Sequence, residues 1–142
     1  MEKQKYAAIV LAAGSGKRMN SKVHKQYLII QDRPVLYYSL KAFEDSAVDE
    51  IVLVVGKGEE KFCRKEIVDK YGISKVKAIV EGGKERYHSV FEGLKQTSDA
   101  DYVLIHDGAR PFVNQDIIRR CMQEVQKYQA CVVGMPVKDT TK

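Results

Sequence analysis

The chain is short of the features that sort proteins most quickly. Its three cysteines, Cys63, Cys121 and Cys131, are odd in number, widely spaced and free of any C-x-x-C pairing. That excludes a disulfide framework and a zinc site, and they read as reduced, small hydrophobes. No apolar run approaches the roughly 20 residues of a membrane span, and the lysine-bearing start lacks the apolar core of a signal peptide. A cytoplasmic location with no membrane partner is therefore expected. His24, His88 and His106 have no metal-ligand spacing, and no Ser/His/Asp or Cys/His constellation for nucleophilic catalysis is present. Internal repeats, low-complexity segments and linkers are missing as well. What is left is an ordinary globular composition, 44% hydrophobic and 30% charged over 142 residues. That length suits one domain burying about two-thirds of its extended surface.

Charge is where the chain departs from the ordinary. The net charge is +5, and all of the excess lies in residues 1–30, where Lys3, Lys5, Lys17, Arg18, Lys22 and Lys25 face Glu2 alone. Elsewhere cations and anions balance, 18 of each. A basic arm for nucleic acid is one reading of such asymmetry. The cations are instead interleaved with glycines and turn residues and have no aromatic platform among them, which suits a small polyphosphate better than a strand. No nucleic-acid partner is expected.

Hydrophobic patterning alternates strand with helix. Tyr6 to Leu11 is a buried strand, and Leu28 to Ile30 a short second one before a turn at Asp32, Arg33 and Pro34. Val35, Leu36, Ser39, Leu40 and Phe43 recur at helical spacing behind Pro34, whose missing N–H is not needed at a helix start. Ile51 to Val55 is a continuous β-branched run suited to a strand covered on both faces. A charged helical segment follows over about 59–70. Then come a strand from Val76 to Val80, a helix through Tyr87, Val90, Phe91 and Leu94, and a strand from Tyr102 to Ile105. A helix bearing Ile117, Ile118, Cys121, Met122 and Val125 leads to a last strand near Cys131 to Gly134. This order predicts an α/β fold with a mainly parallel sheet, helices on both faces and right-handed crossovers.

Ligands of such sheets sit at the carboxyl ends of the strands. The loops there are Ala12 to Lys25, Gly56 to Glu60, Gly82 to Ser89, His106 to Arg110 and Val137 to Thr141, and one site built from several of them is the economical reading. The first loop, Ala12-Ala13-Gly14-Ser15-Gly16-Lys17-Arg18-Met19, carries two glycines that bring backbone N–H groups close to an anion. It matches neither standard fingerprint. Met19 stands where the dinucleotide motif needs a third glycine, and Leu11 and Arg18 stand where the P-loop needs glycine and Ser/Thr. Taken alone it is a phosphate cradle or an ordinary βα turn. Lys17 and Lys22 read as solvated, whereas Arg18 and Lys25 are placed to fold back over the glycines, and His24 flanks the lysine.

The other loops offer complementary chemistry. Asp107 follows a buried strand and either caps the next segment or binds a ribose hydroxyl or a divalent ion, since Mg²⁺ needs only one or two carboxylates plus phosphate oxygens. Arg110 carries a planar fork suited to phosphate or a sugar diol. Gly82-Gly83 with Ser89 either reads a base edge or is a plain helix entry with a surface serine. His88 reads as a solvated helix residue and His106 as a hydrogen-bonded structural histidine.

Taken together, Leu11 to Met19, Lys25-Gln26-Tyr27, Gly82-Gly83 with Arg86 and Ser89-Val90, His106-Asp107-Gly108-Ala109-Arg110-Pro111 and Pro136-Val137-Lys138-Asp139-Thr140 resemble the 2-C-methyl-D-erythritol 4-phosphate cytidylyltransferases of non-mevalonate isoprenoid synthesis. The resemblance covers essentially the whole chain and implies a Rossmann-like nucleotidyltransferase domain. It further implies Mg²⁺-dependent transfer of a cytidylyl group from CTP to methylerythritol phosphate, releasing pyrophosphate. On matched positions, Arg18 and Lys25 would stabilise transition-state charge, and Ala12, Ala13, Gly14, Ser15 and Gly16 would cradle CTP. Gly83, Lys84 and Ser89 would contact cytidine, Asp107 would hold the ribose or metal region, and Arg110 and Thr140 would bind the acceptor.

This chain departs from the family at His24, where proline is frequent, and at Lys84, where an acidic or small polar residue is frequent. The family also continues beyond the counterpart of Lys142 through a β-arm used in homodimerisation and a C-terminal segment. The chain is thus expected to be the nucleotide-binding part of the domain, spanning 1–142, folding but turning over poorly or not at all by itself. Ribitol 5-phosphate cytidylyltransferase and a non-catalytic nucleotide-binding module are the competing readings.

Overall fold

In a computed structural model, which describes residues 4–12, 29–30, 33–108, 114–128 and 130–133, five parallel strands form one sheet. They are β1 (Tyr6–Ala12), β4 (Glu50–Val55), β5 (Val76–Glu81), β6 (Tyr102–Asp107) and β7 (Ala130–Val133), in the order β5-β4-β1-β6-β7. A separate two-stranded antiparallel ribbon pairs β2 (Ile29–Ile30) with β3 (Arg33–Pro34). The helices are α1 (Val35–Glu44), α2 (Glu60–Cys63, continuing as a π-helical stretch over Arg64–Asp69), α3 (Arg86–Lys95) and α4 (Gln115–Tyr128). Cys63 is buried and Cys121 half-buried. No helix of the described residues is long and apolar enough to cross a membrane.

The central strands are buried because both of their faces are covered. Every residue of β4 is buried, as is all of β1 after Tyr6. On one face Ala8, Val10, Leu53 and Leu104 meet Leu36, Leu40 and Phe43 of α1, Cys63, Ile67 and Val68 of α2, and Ile118 and Val125 of α4. On the other face Ile9, Leu11, Val52, Val54, Val103 and Ile105 meet Val90 of α3. Glycine permits the close seating of α3: a Cβ at Gly93 would stand 2.7 Å from Ile9 Cγ2. The α1 stripe is the one expected from its spacing. Pro34 lies one residue outside that helix, as an extended N-cap at φ −65° and ψ 149°, and is the register partner of Ile29 in the β2–β3 ribbon.

The expectation of uniform right-handed crossovers fails at the last one. The links β1–α1–β4 and β4–α2–β5 step one way across the sheet on the α1 face, and β5–α3–β6 steps back on the opposite face. Those three share a hand. The β6–α4–β7 link also steps back, yet α4 packs on the α1 face, so its hand is opposite and it is the exception to a strong rule. The physical reason is local packing: the apolar stripe of α4 seats beside α1, and the Gln115 amide donates to the Ala42 carbonyl at 2.7 Å.

Sequence order reverses between β1 and β6, which makes their carboxyl ends the topological switch point of the sheet. Leu11 of β1 lies in register with Asp107 of β6.

Candidate functional site

Backbone polar groups decide the shape of the switch point. Beyond the last register pair, the Gly108 N–H donates to the Leu11 carbonyl at 2.8 Å, extending the ladder by one rung. The turn is tight enough to require glycine, since a Cβ at Gly108 would stand 2.8 Å from Leu36 Cδ1 and 3.0 Å from the Leu11 oxygen. Side chains alternate along a strand. Val103 and Ile105 lie on the α3 face, so Asp107 shares that face while His106 belongs to the α1 face. Asp107 is half-buried, and Ala12, its neighbour at the end of β1, is fully buried.

On the α3 face, the Gly82 N–H donates to the Val55 carbonyl at 2.8 Å, carrying β5 just past its end. Gly83 and Lys84 follow, both exposed. Gly83 is a close-approach glycine: a Cβ there would stand 2.3 Å from His88 Cβ. His88 is exposed but is more than a solvated residue, because its Nδ1 accepts the Glu85 N–H at 3.2 Å and so caps the amino end of α3. The Glu85-x-x-His88 spacing is the signal that sequence reasoning passed over. Ser89, one residue on, is 4% exposed, and its hydroxyl has no partner among the described residues. It is therefore not a surface serine. A buried hydroxyl without a partner costs free energy, which is a condition that a ligand would relieve.

The loop after β4 behaves differently. Gly58, at φ +79°, donates its N–H to Glu81 Oε2 at 2.8 Å, and the Gly56 N–H donates to Glu59 Oε1 at 3.2 Å. These amides are already taken by carboxylates of the protein, so the stretch Gly56 to Glu60 forms a closed turn and offers no anion cradle.

Of the residues expected at the site, the fold brings Ala12 and Asp107 together at the switch point, and it places Gly83, Lys84 and Ser89 at the entry of α3 on the face that Asp107 shares. Ala13, Gly14, Ser15, Gly16, Arg18, Lys25, Arg110 and Thr140 lie outside the described residues. For a divalent ion, no group of three or more His, Cys, Asp or Glu gathers among the described residues. One carboxylate, Asp107, fits an ion whose other ligands are phosphate oxygens.

Known proteins decide the family. The family model IspD, 2-C-methyl-D-erythritol 4-phosphate cytidylyltransferase, matches residues 6–142. The chain belongs to this family. Among the cytidylyltransferases it resembles, the protein so named from Lachnoclostridium phytofermentans is 54% identical over 139 residues, 98% of this chain and 60% of that one. Its namesake from Lachnospira eligens is also 54% identical, over 95% of this chain and 60% of the relative. Among solved structures, the 4-diphosphocytidyl-2C-methyl-D-erythritol synthase of Anaerococcus prevotii superposes with a TM-score of 0.71 at 33% identity. That match covers 87% of this chain and 52% of the other. The chain spans about 60% of the length of the curated cytidylyltransferases it matches.

Proposed function

We propose that this chain supplies the nucleotide side of cytidylyl transfer from CTP to 2-C-methyl-D-erythritol 4-phosphate. One observation carries the reading: the end of β1, from which the glycine loop departs, lies in register with Asp107 where the strand order reverses, in a chain matched to the family over residues 6–142. An oxygen of the acceptor phosphate attacks the α-phosphorus of CTP in line. The new P–O bond forms as the bond from α-phosphorus to the bridging oxygen breaks, and pyrophosphate leaves with that electron pair.

Such a reaction asks the protein for positioning and fixed positive charge more than for covalent chemistry. Arg18 and Lys25 take the charge that grows on the α-phosphate and on the leaving group. Ala12, Ala13, Gly14, Ser15 and Gly16 present backbone amides to the triphosphate. Gly83, Lys84 and the buried Ser89 hydroxyl face the cytidine, and Asp107 orients the ribose and the metal region. Arg110 and Thr140 hold the acceptor. Bound Mg²⁺ would offset triphosphate charge, with Asp107 as its protein ligand. The setting is cytoplasmic, and the full-length protein is a homodimer.

An acceptor panel with labelled CTP tests the reading. The full-length protein should give a cytidine diphosphate product and pyrophosphate with methylerythritol phosphate, and none with ribitol 5-phosphate. Product with ribitol phosphate alone would reassign the acceptor, and CTP binding without product on any acceptor would reduce the protein to a binding module.

A further inference from the structure

The stripe that α1 buries is apolar except at one position. Ser39 lies between Leu36 and Leu40, is fully buried, and holds two polar groups of the β6 turn. Its Oγ lies 3.3 Å from the Gly108 carbonyl oxygen and 3.3 Å from Nε2 of His106, which is 1% exposed. A carbonyl oxygen only accepts, so the Ser39 hydroxyl proton is directed to Gly108. With that proton on Gly108, the same Oγ meets His106 through a lone pair, an arrangement that takes the Nε2–H tautomer of the ring. Phe43, one turn further along α1, packs its ring 5.6 Å from the imidazole.

Asp107 is thereby bracketed. The residue before it is held on the α1 face through its imidazole. The residue after it is held at both backbone groups, the N–H by Leu11 and the carbonyl by Ser39. Because consecutive side chains of a strand point to opposite faces, pinning His106 on one face sets the Asp107 carboxylate on the other, towards the end of β1 and the entry of α3.

We infer that Ser39 and His106 are positioning residues that aim Asp107 at the nucleotide. The inference rests on the reading of Asp107 as a nucleotide-binding residue, but its geometric part is independent of ligand. Long-range ¹⁵N NMR of the chain should find a proton on His106 Nε2, and Ser39→Ala should shift the Gly108 amide while helical circular dichroism is kept. A bare Nε2, or an unmoved Gly108 amide, would overturn the relay.

With CTP as the probe, Ser39→Ala should raise Kd about tenfold, the order expected for one lost buried hydrogen bond. In an Asp107→Ala background it should add nothing. An equal loss in both backgrounds means general destabilisation and overturns the positioning role. Should Ser39→Ala fail to fold, His106→Gln keeps a donor for the Ser39 hydroxyl and should bind CTP within about threefold of wild type; a loss as large as that of His106→Leu would contradict the relay. A wild-type chain that binds no CTP defeats the nucleotide reading, while the Nε2 proton and the Gly108 shift still decide the geometry.

Discussion

The two ends of the sheet are built on opposite plans. At the amino end, charges are gathered and matched. Glu50, 8% exposed at the start of β4, takes Lys5 at 3.0 Å and Lys77 at 3.2 Å, and Asp99 takes the same two lysines at 2.6 and 3.6 Å. The Lys5 and Tyr6 N–H groups are held by the carboxylates of Asp101 and Asp49. At the carboxyl end, glycine turns bring backbones close, and Ser89 keeps a buried hydroxyl with no partner among the described residues. The first arrangement stabilises the chain and leaves little for a ligand to do. The second seats backbones closely and leaves one buried hydroxyl, that of Ser89, at the entry of α3.

If that division of labour is right, substitutions at one end should leave the other end's property alone. The largest effect is expected at the carboxyl end. Lys25→Ala in the full-length protein should lower kcat on the order of 10²-fold or more, the loss typical of one preorganised charge-stabilising donor, with an unchanged melting temperature. Near-normal turnover at saturating CTP would remove Lys25 from its role.

At the amino end, Glu50→Ala leaves Lys5 and Lys77 to the single carboxylate of Asp99. Removing one partner of a buried ion pair is destabilising, and here solvent screening of the partly exposed lysines keeps the loss modest. Chemical denaturation should read this loss while the Kd for CTP stays where it was. A weakened Kd would show that the two ends are coupled.

The smallest effect is a pH dependence. The Asp99 carboxyl is held below the usual range by the hydrogen bond from Lys5. Burial pushes Glu44 up, but hydrogen bonds from the Ser74 side chain and from the Lys75 and Ser74 backbones outweigh it and hold it low. Groups with lowered pKa values give stability that is present above their unfolded values and is lost as pH falls through the folded ones. Lys5 is held above the usual lysine range by Asp99 and then Glu50. Its contribution is full below the unfolded value and is lost as pH rises through the raised one. Thermal melts should therefore be flat between about pH 5 and 10 and should fall slightly on both sides. A maximum inside that window would point to some other group.

Much of this was legible from periodicity. Continuous β-branched runs gave the central strands, and the Val35, Leu36, Ser39, Leu40, Phe43 spacing gave α1 with its buried side. The hand of the last crossover was not legible, because it depends on which neighbour the α4 stripe finds, and α1 is far away in sequence. At the site, the residue types at strand ends pointed to Asp107, Gly83 and Ser89 and the family resemblance to Ala12, yet the reason Gly83 is glycine appears only when His88 is seen against it. Ser39 carried a signal that was easy to read as mere stripe: a hydroxyl on a buried face needs a buried partner, and that partner is the turn behind Asp107. The Gly56 and Gly58 turn was counted among the strand-end loops, and glycine-rich composition does not reveal that Glu59 and Glu81 occupy its amides.

The central claim is that nucleotide binds at the switch point between β1 and β6. Titrating the ¹⁵N-labelled chain with CTP tests it most directly. Amide shifts should concentrate at Leu11 and Ala12, Gly83 to Ser89, and Asp107 and Gly108, while Lys5, Glu50, Lys77 and Asp99 stay still. Shifts centred on the amino-end charge cluster, or none at saturating CTP, would contradict it.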